Sequence, residues 1–371
     1  MKHIHQRLTS KLHLRAQRGN LRELHDQTTG IDFYSNDYLG FARSTALAGQ
    51  LATRVEECSH LMGAGGARLI AGDSPIITQV EEFIAHQHRV QRALLLPSGF
   101  AANLSLFSTL PQRGDTIILD ERVHHSVYQG CRLSHAKRWK FAHNDLQHLS
   151  DLLARSSGQV WIGVESLYSM DGDFAPLEGL VALAEKYGAA LIVDEAHAIG
   201  VFGLGLLDEQ NLQERVFASV VTYGKAMGLW GATILGSRTL ANYLINYAGP
   251  LIYSTGIPDF HALAIEQAYR FLDQEGKNSR AELKAITDHF NTLDLPCLAA
   301  PESPIKPILF SDVAAMERAS RDLKQQDIVC YGVRPPTVPS GRVCLRISLH
   351  AFNLRKETMA LSTILKKHIY G

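Results

Sequence analysis

Val220-Val221-Thr222-Tyr223-Gly224-Lys225-Ala226-Met227-Gly228-Leu229-Trp230-Gly231 is the stretch on which the reading of this chain turns. Ser219 to Thr222 has the apolar, β-branched character of a buried strand. It ends at a lysine set between glycines. Lysine is rarely buried without a specific reason, and flanking glycines let the backbone approach something bulky or take positive φ. That is the setting of a lysine that bonds covalently to a carbonyl cofactor. Upstream, Ala190-Leu191-Ile192-Val193-Asp194-Glu195-Ala196-His197 is an apolar strand ending in a carboxylate, with a histidine soon after. Ligands of open α/β sheets sit at the carboxyl ends of strands, so Asp194 and Lys225 are expected to face one cleft. A strand-end aspartate, a nearby histidine and a strand-end lysine are the parts of a pyridoxal 5'-phosphate (PLP) site.

The rest of the chain has the make-up of a globular protein. Its 371 residues are enough for a sizeable core and two unequal domains. Lys+Arg and Asp+Glu both total 37, so no global field favours nucleic acid or an acidic membrane surface. No apolar run reaches the ~18 residues of a membrane helix, and the first residues lack the apolar segment of a signal peptide. Five scattered cysteines without CxxC argue against a disulfide framework or a zinc site, and no metal is expected. A reducing, cytoplasmic compartment is the expectation.

Strands alternate with helices along most of the sequence, which implies a largely parallel sheet with right-handed crossovers. Strands are expected at 92–96, 115–120, 138–142, 159–165, 190–194, 219–222 and 232–236, the last able to pair antiparallel. Helices are expected at 145–155, 177–187 and 238–247. Residues 31–34 read as a strand entering the Asn-Asp turn of Ser35–Gly40. Residues 259–293 read as a long helical region with a break near Gly276, leading into a smaller domain. That domain has strands at 305–310, 328–333 and 342–349 and helices at 314–325 and 356–367. The expected organisation is an N-terminal arm at 1–40, a large domain at 41–270 and a small C-terminal α/β domain at 271–371.

Pro97-Ser98-Gly99-Phe100 lies between a strand and a helix, so Ser98, Gly99 and Phe100 fall at a helix N-terminus. Free N–H groups and the positive dipole end make that an anion site; taken alone, Ser98 reads first as an N-cap, and the downstream Lys225 turns the reading to phosphate. The glycine-rich Gly63–Gly72 lacks both a preceding strand and GxGxxG spacing, so it is not a dinucleotide fingerprint.

VDEAHAIGVFG (193–203), ESLYSMDGDFAPL (165–177), VVTYGKAMG (220–228) and LIYSTGIP (251–258) together resemble the α-oxoamine synthases, a branch of the fold-type I PLP-dependent transferases. The resemblance runs from SNDYLG at Ser35–Gly40 to Arg346. It implies PLP on Lys225, with Asp194 at the ring nitrogen, His197 and Ser169 at the ring oxygen, and His124 stacked on the ring, ranked above its neighbour His125. Ser98, Gly99, Phe100 and Thr222 would hold the phosphate, and Ser254 and Thr255 would reach the phosphate of a partner subunit, making the site a homodimer property. Arg346, Asn36 and Arg22 would contact substrate. Departures from the family pattern stand at Ala67, Ile77, Cys344 and Asn353, and Ile199 and Trp230 are unusual residues near the site.

Members of this family join an amino acid to an acyl thioester and release CO2. Arg334-Pro335-Pro336-Thr337-Val338-Pro339 resembles the members that take L-alanine and a pimeloyl thioester, on CoA or a carrier protein. Two alternatives stay open at this point: glycine or serine with another acyl-CoA, or a PLP aminotransferase, which would share Asp194 and Lys225.

Overall fold

The computed structural model describes residues 2–17, 20–22, 24, 29–334 and 341–370. The Pro335–Pro339 part of the RPPTVP stretch therefore lies outside the described residues. After the N-terminal helix Lys2–Gln17, exposed from His3 onward, a two-residue strand, β1 (Ile31–Asp32), opens the folded body. Seven strands then form the central sheet: β2 (Arg92–Leu96), β3 (Thr116–Asp120), β4 (Lys137–Phe141), β5 (Val160–Glu165), β6 (Ala190–Asp194), β7 (Ala218–Thr222) and β8 (Ala232–Gly236). Their order is β2-β8-β7-β6-β5-β3-β4. β8 pairs antiparallel with both neighbours, and every other pairing is parallel.

Burial on both faces explains why the inner strands read as apolar runs, while the edge strand β4, Lys-Arg-Trp-Lys-Phe, is largely exposed. Leu94, Ile117, Ile192 and Val220 enter one core, while Leu95, Ile118, Val193 and Val221 enter the other. Alternate residues thus serve opposite layers of helices, which fixes the register of each strand.

The C-terminal part carries a second sheet, β9 (Ile305–Leu309), β11 (Tyr331–Val333) and β12 (Cys344–Ser348), in the order β11-β12-β9 with both pairings antiparallel. β10 (Ile328–Val329) pairs instead with β1, so residues 31–32 of the expected arm are tied to the small unit. The expected single strand at 328–333 is two short strands serving two sheets.

The expected break near Gly276 is absent: one helix runs from Asp259 to Asn291. A Cβ at Gly276 would lie 2.7 Å from Leu272 Cδ1 and 2.8 Å from Arg280 Nη1. Those side chains, one turn away on either side, close over the glycine and shield its backbone, which offsets its poor helix propensity. The glycine-rich 63–72 stretch ends in a tight turn in which the Ile70, Ala71 and Gly72 N–H groups all donate to the Ala67 carbonyl.

Candidate active site

The carboxyl ends of β5, β6 and β7 deliver Glu165, Asp194 and Thr222 to one cavity of about 230 Å³. Its wall also holds Ser98, Gly99 and Phe100 after β2, His124 after β3, and Lys225 just beyond β7. One cleft therefore gathers side chains from most of the sheet, as expected where ligands bind at strand ends.

Lys225 is half-buried at the cavity wall, and among the described residues its amine has no hydrogen-bond or carboxylate partner. Burial lowers its pKa to about 8, against the opposing pull of Asp194 and Glu165, and Arg346 lowers it further. A large fraction of the amine is then neutral near pH 8, which a nucleophilic lysine requires.

Asp194 accepts the Ala196 N–H at 2.9 Å and the Asn103 amide at 2.7 Å. Asn103 also donates to Ser126 Oγ at 2.9 Å, and its own Oδ1 is buried without a partner. His197 is buried, and desolvation together with the Lys225 and Arg346 charges holds its pKa well below the usual histidine value. It is neutral, and Tyr38 Oη lies 2.7 Å from its Nδ1. The same hydroxyl donates to Asn36 Oδ1 at 3.1 Å, so Tyr38 joins His197 to the Asn36 side chain. His124 caps the helix His125–Leu133, with Nδ1 accepting the Ser126 N–H, and its ring opens on the cavity. Both histidines are exposed, but His125 contacts Gln129 and does not line the cavity, whereas His124 does.

Ser98 is the N-cap of the helix Gly99–Thr109, with Oγ accepting the Ala101 N–H at 3.1 Å. The cap reading is observed, and the hydroxyl proton and the Gly99 and Phe100 N–H groups have no partner among the described residues, which leaves them free to donate to an anion. A Cβ at Gly99 would lie 2.5 Å from Thr222 Cγ2. Backbone and threonine thus form a close cradle that only glycine permits. Free N–H donors, a helix N-terminus and two hydroxyls match an anionic phosphate, and the unpaired Lys225 amine matches a carbonyl. The residues present fit PLP.

Arg346 is buried just behind this cavity and does not line it. Its Nε donates to the Ser169 carbonyl at 2.6 Å and Nη1 to Ser348 Oγ at 2.7 Å. Nη2 reaches Asn36 Oδ1 at 3.1 Å and Tyr38 Oη at 3.2 Å. Arg346 and Asn36, the two expected carboxylate contacts, are thus brought together, and Tyr38 links them to His197. Ser169 meets this group through its backbone. Ser254 is half-buried and Thr255 exposed, the latter bridged to Ala67, and neither lines the cavity. Arg22 is exposed and also outside it. Trp230 lines the cavity, whereas Ile199 is fully buried in the core.

Three site residues escape the sequence reading. Glu165 lines the cavity with Oε2 accepting the Ser169 N–H at 3.1 Å and Oε1 unpartnered. Burial and the neighbouring Asp194 push its pKa up to about 8. The signal was the same as for Asp194, a carboxylate closing an apolar strand. Asn103 was visible as an amide within an apolar helix. Tyr38 had no signal beyond its place in SNDYLG.

This fold and this site define a class, and the chain belongs to the aminotransferase class I and II family, whose model matches residues 28–360. It is 37% identical over 344 residues to the 8-amino-7-oxononanoate synthase of Acidithiobacillus ferrooxidans, covering 91% of this chain and 87% of that one. A solved 8-amino-7-oxononanoate synthase from Francisella tularensis superposes with a TM-score of 0.79 at 28% identity, over 92% of this chain and 98% of the other. A serine palmitoyltransferase variant from S. paucimobilis, solved with PLP and myriocin bound, shares the fold at a TM-score of 0.86 and 22% identity, covering 97% and 96%.

Proposed function

We propose that this chain is a PLP-dependent acyltransferase that condenses L-alanine with a pimeloyl thioester, giving 8-amino-7-oxononanoate, CO2 and free thiol, a step of biotin synthesis. The observation that carries the proposal is the desolvated, unpaired Lys225 amine facing Asp194. The relatives named 8-amino-7-oxononanoate synthase support the choice of reaction.

PLP held on Lys225 supplies an electron sink for the bonds broken at the amino acid Cα. Ser98, Thr222 and the N–H groups of Gly99 and Phe100 hold its phosphate. Asp194 keeps the ring nitrogen protonated, since a nearby opposite charge favours that form. His197 and Ser169 would hold the ring oxygen, and His124 would pack on the ring. Once the nitrogen of alanine has taken its place on the cofactor, the freed Lys225 amine would take the Cα proton and later return one. Between those events Cα bonds to the thioester carbonyl carbon, the thiol leaves, and the amino acid carboxylate departs as CO2. Arg346 and Asn36 hold that carboxylate by charge-assisted hydrogen bonds; the longer Nη2 contacts to Asn36 and Tyr38 are the ones a substrate oxygen displaces. Arg22 contacts substrate from the N-terminal segment.

The functional unit is a homodimer in which Ser254 and Thr255 reach the partner's phosphate. Their position outside this chain's own cavity supports that reading. No described helix is long and apolar enough to cross a membrane, and all five cysteines are free, which supports a reducing, cytoplasmic setting.

The test supplies the PLP-loaded protein with L-alanine and pimeloyl thioester. Equal amounts of CO2, thiol and 8-amino-7-oxononanoate are expected. Faster turnover of glycine or serine with another acyl thioester overturns the substrate pair. Amino transfer to a 2-oxo acid without thiol release overturns the reaction class.

A further inference from the structure

The loop that follows β5 is pinned more heavily than a surface connection needs. Residues 167–174 close on themselves, with Leu167 bridged to Phe174 and the Tyr168 N–H donating to the Asp173 carbonyl at 3.0 Å. One side of the loop is locked to the end of β3. His143 lies between Asp120, 2.9 Å from Nδ1, and Asp173, 2.7 Å from Nε2, and its ring packs edge-on against Tyr168 at 4.5 Å. The tip is locked to the small unit. Asp171 Oδ1 meets Arg122 at 2.9 Å and Arg342 at 2.7 Å, one arginine from each side of the junction. Gly172 sits so close to β9 that a Cβ there would fall 2.2 Å from the Ile305 carbonyl oxygen, and its own carbonyl accepts the Ala300 N–H at 3.1 Å.

Between the two locks lies Ser169, whose carbonyl oxygen takes the Arg346 Nε at 2.6 Å. Arg342 stands just before β12, the strand that carries Arg346. The same loop therefore grips the end of that strand and the guanidinium it presents. Two short inner contacts, Ser169 and Ser348, fix the plane of the guanidinium, and the longer Nη2 edge is left for exchange. A planar fork recognises a carboxylate only when held at the right angle.

We propose that Asp171 and His143 are positioning residues: through the 167–174 loop they hold Arg346 in the orientation that receives the amino acid carboxylate. The inference rests on the function proposed above. Neither residue lines the cavity, so each acts on amino acid affinity through Arg346 and leaves the proton transfer at Lys225 intact.

The experiment measures the dissociation constant for L-alanine from the absorbance change of the PLP-loaded enzyme, alongside kcat and thermal stability. The variants are Asp171→Asn, Arg346→Gln and the double variant. Asp171→Asn is expected to weaken alanine about tenfold with kcat nearly unchanged, a size usual for coupled neighbours. In the Arg346→Gln background the same substitution should weaken it by less than about twofold, because the group being positioned is gone. Arg342→Lys, which keeps the charge and loses the fork, should fall between wild type and Asp171→Asn and covers the case of a poorly folded Asp171→Asn. An unchanged alanine affinity in the single variants, or equal losses in both backgrounds, overturns the proposal. Wild-type enzyme that answers to no amino acid refutes the functional reading itself, which separates the two failures.

Discussion

Replacing Asp194 by Asn separates the charge at this site from its shape. Asp194 is buried and accepts two hydrogen bonds, from the Ala196 N–H and the Asn103 amide. An asparagine keeps one oxygen for Ala196 and turns an amide toward Asn103. Asn103 can answer by rotating its side chain, which brings its Oδ1 against the new donor and gives up its own donation to Ser126 Oγ. The variant should therefore fold, with a stability loss of about 1 kcal/mol or less. What it lacks is the charge. Asp194 is the largest influence holding the Lys225 pKa up, so in the cofactor-free protein that pKa should fall below its present value of about 8. In the holoenzyme the ring nitrogen loses its counter-charge. One such contact is worth roughly 2–4 kcal/mol in the transition state, so kcat should drop about thirty- to several-hundredfold. Steady-state kinetics with alanine and pimeloyl thioester, with bound PLP counted by absorbance, measures this. A variant that retains PLP and turns over at near-native rate refutes the reasoning.

Gly99→Ala should weaken PLP binding about tenfold or more, since its Cβ would lie 2.5 Å from Thr222 Cγ2 and must open the cradle; an unchanged cofactor affinity on equilibrium dialysis contradicts it. His143 is pushed down by burial, but Asp120 and Asp173 outweigh that and raise its pKa to about 9. Its pairing therefore stabilises the fold fully below about pH 6.5 and is lost as pH rises through about 9. His143→Gln should cost about 2 kcal/mol at pH 6 and close to nothing above pH 9, by urea melts at both pH values; a gap that widens with pH refutes this. Mixing Lys225→Ala chains with chains changed at both Ser254 and Thr255 should restore activity above either parent, and a mixture that never exceeds them shows that sites are not shared.

Much of the architecture was legible because it follows from short-range patterns. Apolar runs marked the strands of the central sheet other than the polar edge strand β4 to within a residue or two, and the helices 177–187 and 238–247 fall where their spacing put them. Lys225 and Asp194 were legible because charges closing apolar strands are conspicuous. Glu165 carries the same mark, closing the apolar strand β5. Gly276 was misread because what keeps its helix intact is side-chain cover from Leu272 and Arg280. The group around Arg346 was legible only in part: Asn36 was expected there, but Tyr38, the Ser169 carbonyl and Ser348 were not. Asn36 stands 310 residues from Arg346 in sequence, and no local periodicity reports such a contact. Asn353 is a further case. It stands where the family pattern has a histidine, and it accepts the His350 N–H while its amide donates to the Asp32 carbonyl. It ties the chain beyond β12 to β1.

The central claim is that Lys225 carries the cofactor. Borohydride reduction of the PLP-loaded protein, followed by proteolysis and mass spectrometry, reads out the modified lysine directly. The account predicts one phosphopyridoxyl group per chain on the peptide containing Lys225, and none on a Lys225→Ala chain. A label on any other lysine, or an unlabelled Lys225 in a protein that holds PLP, would contradict it.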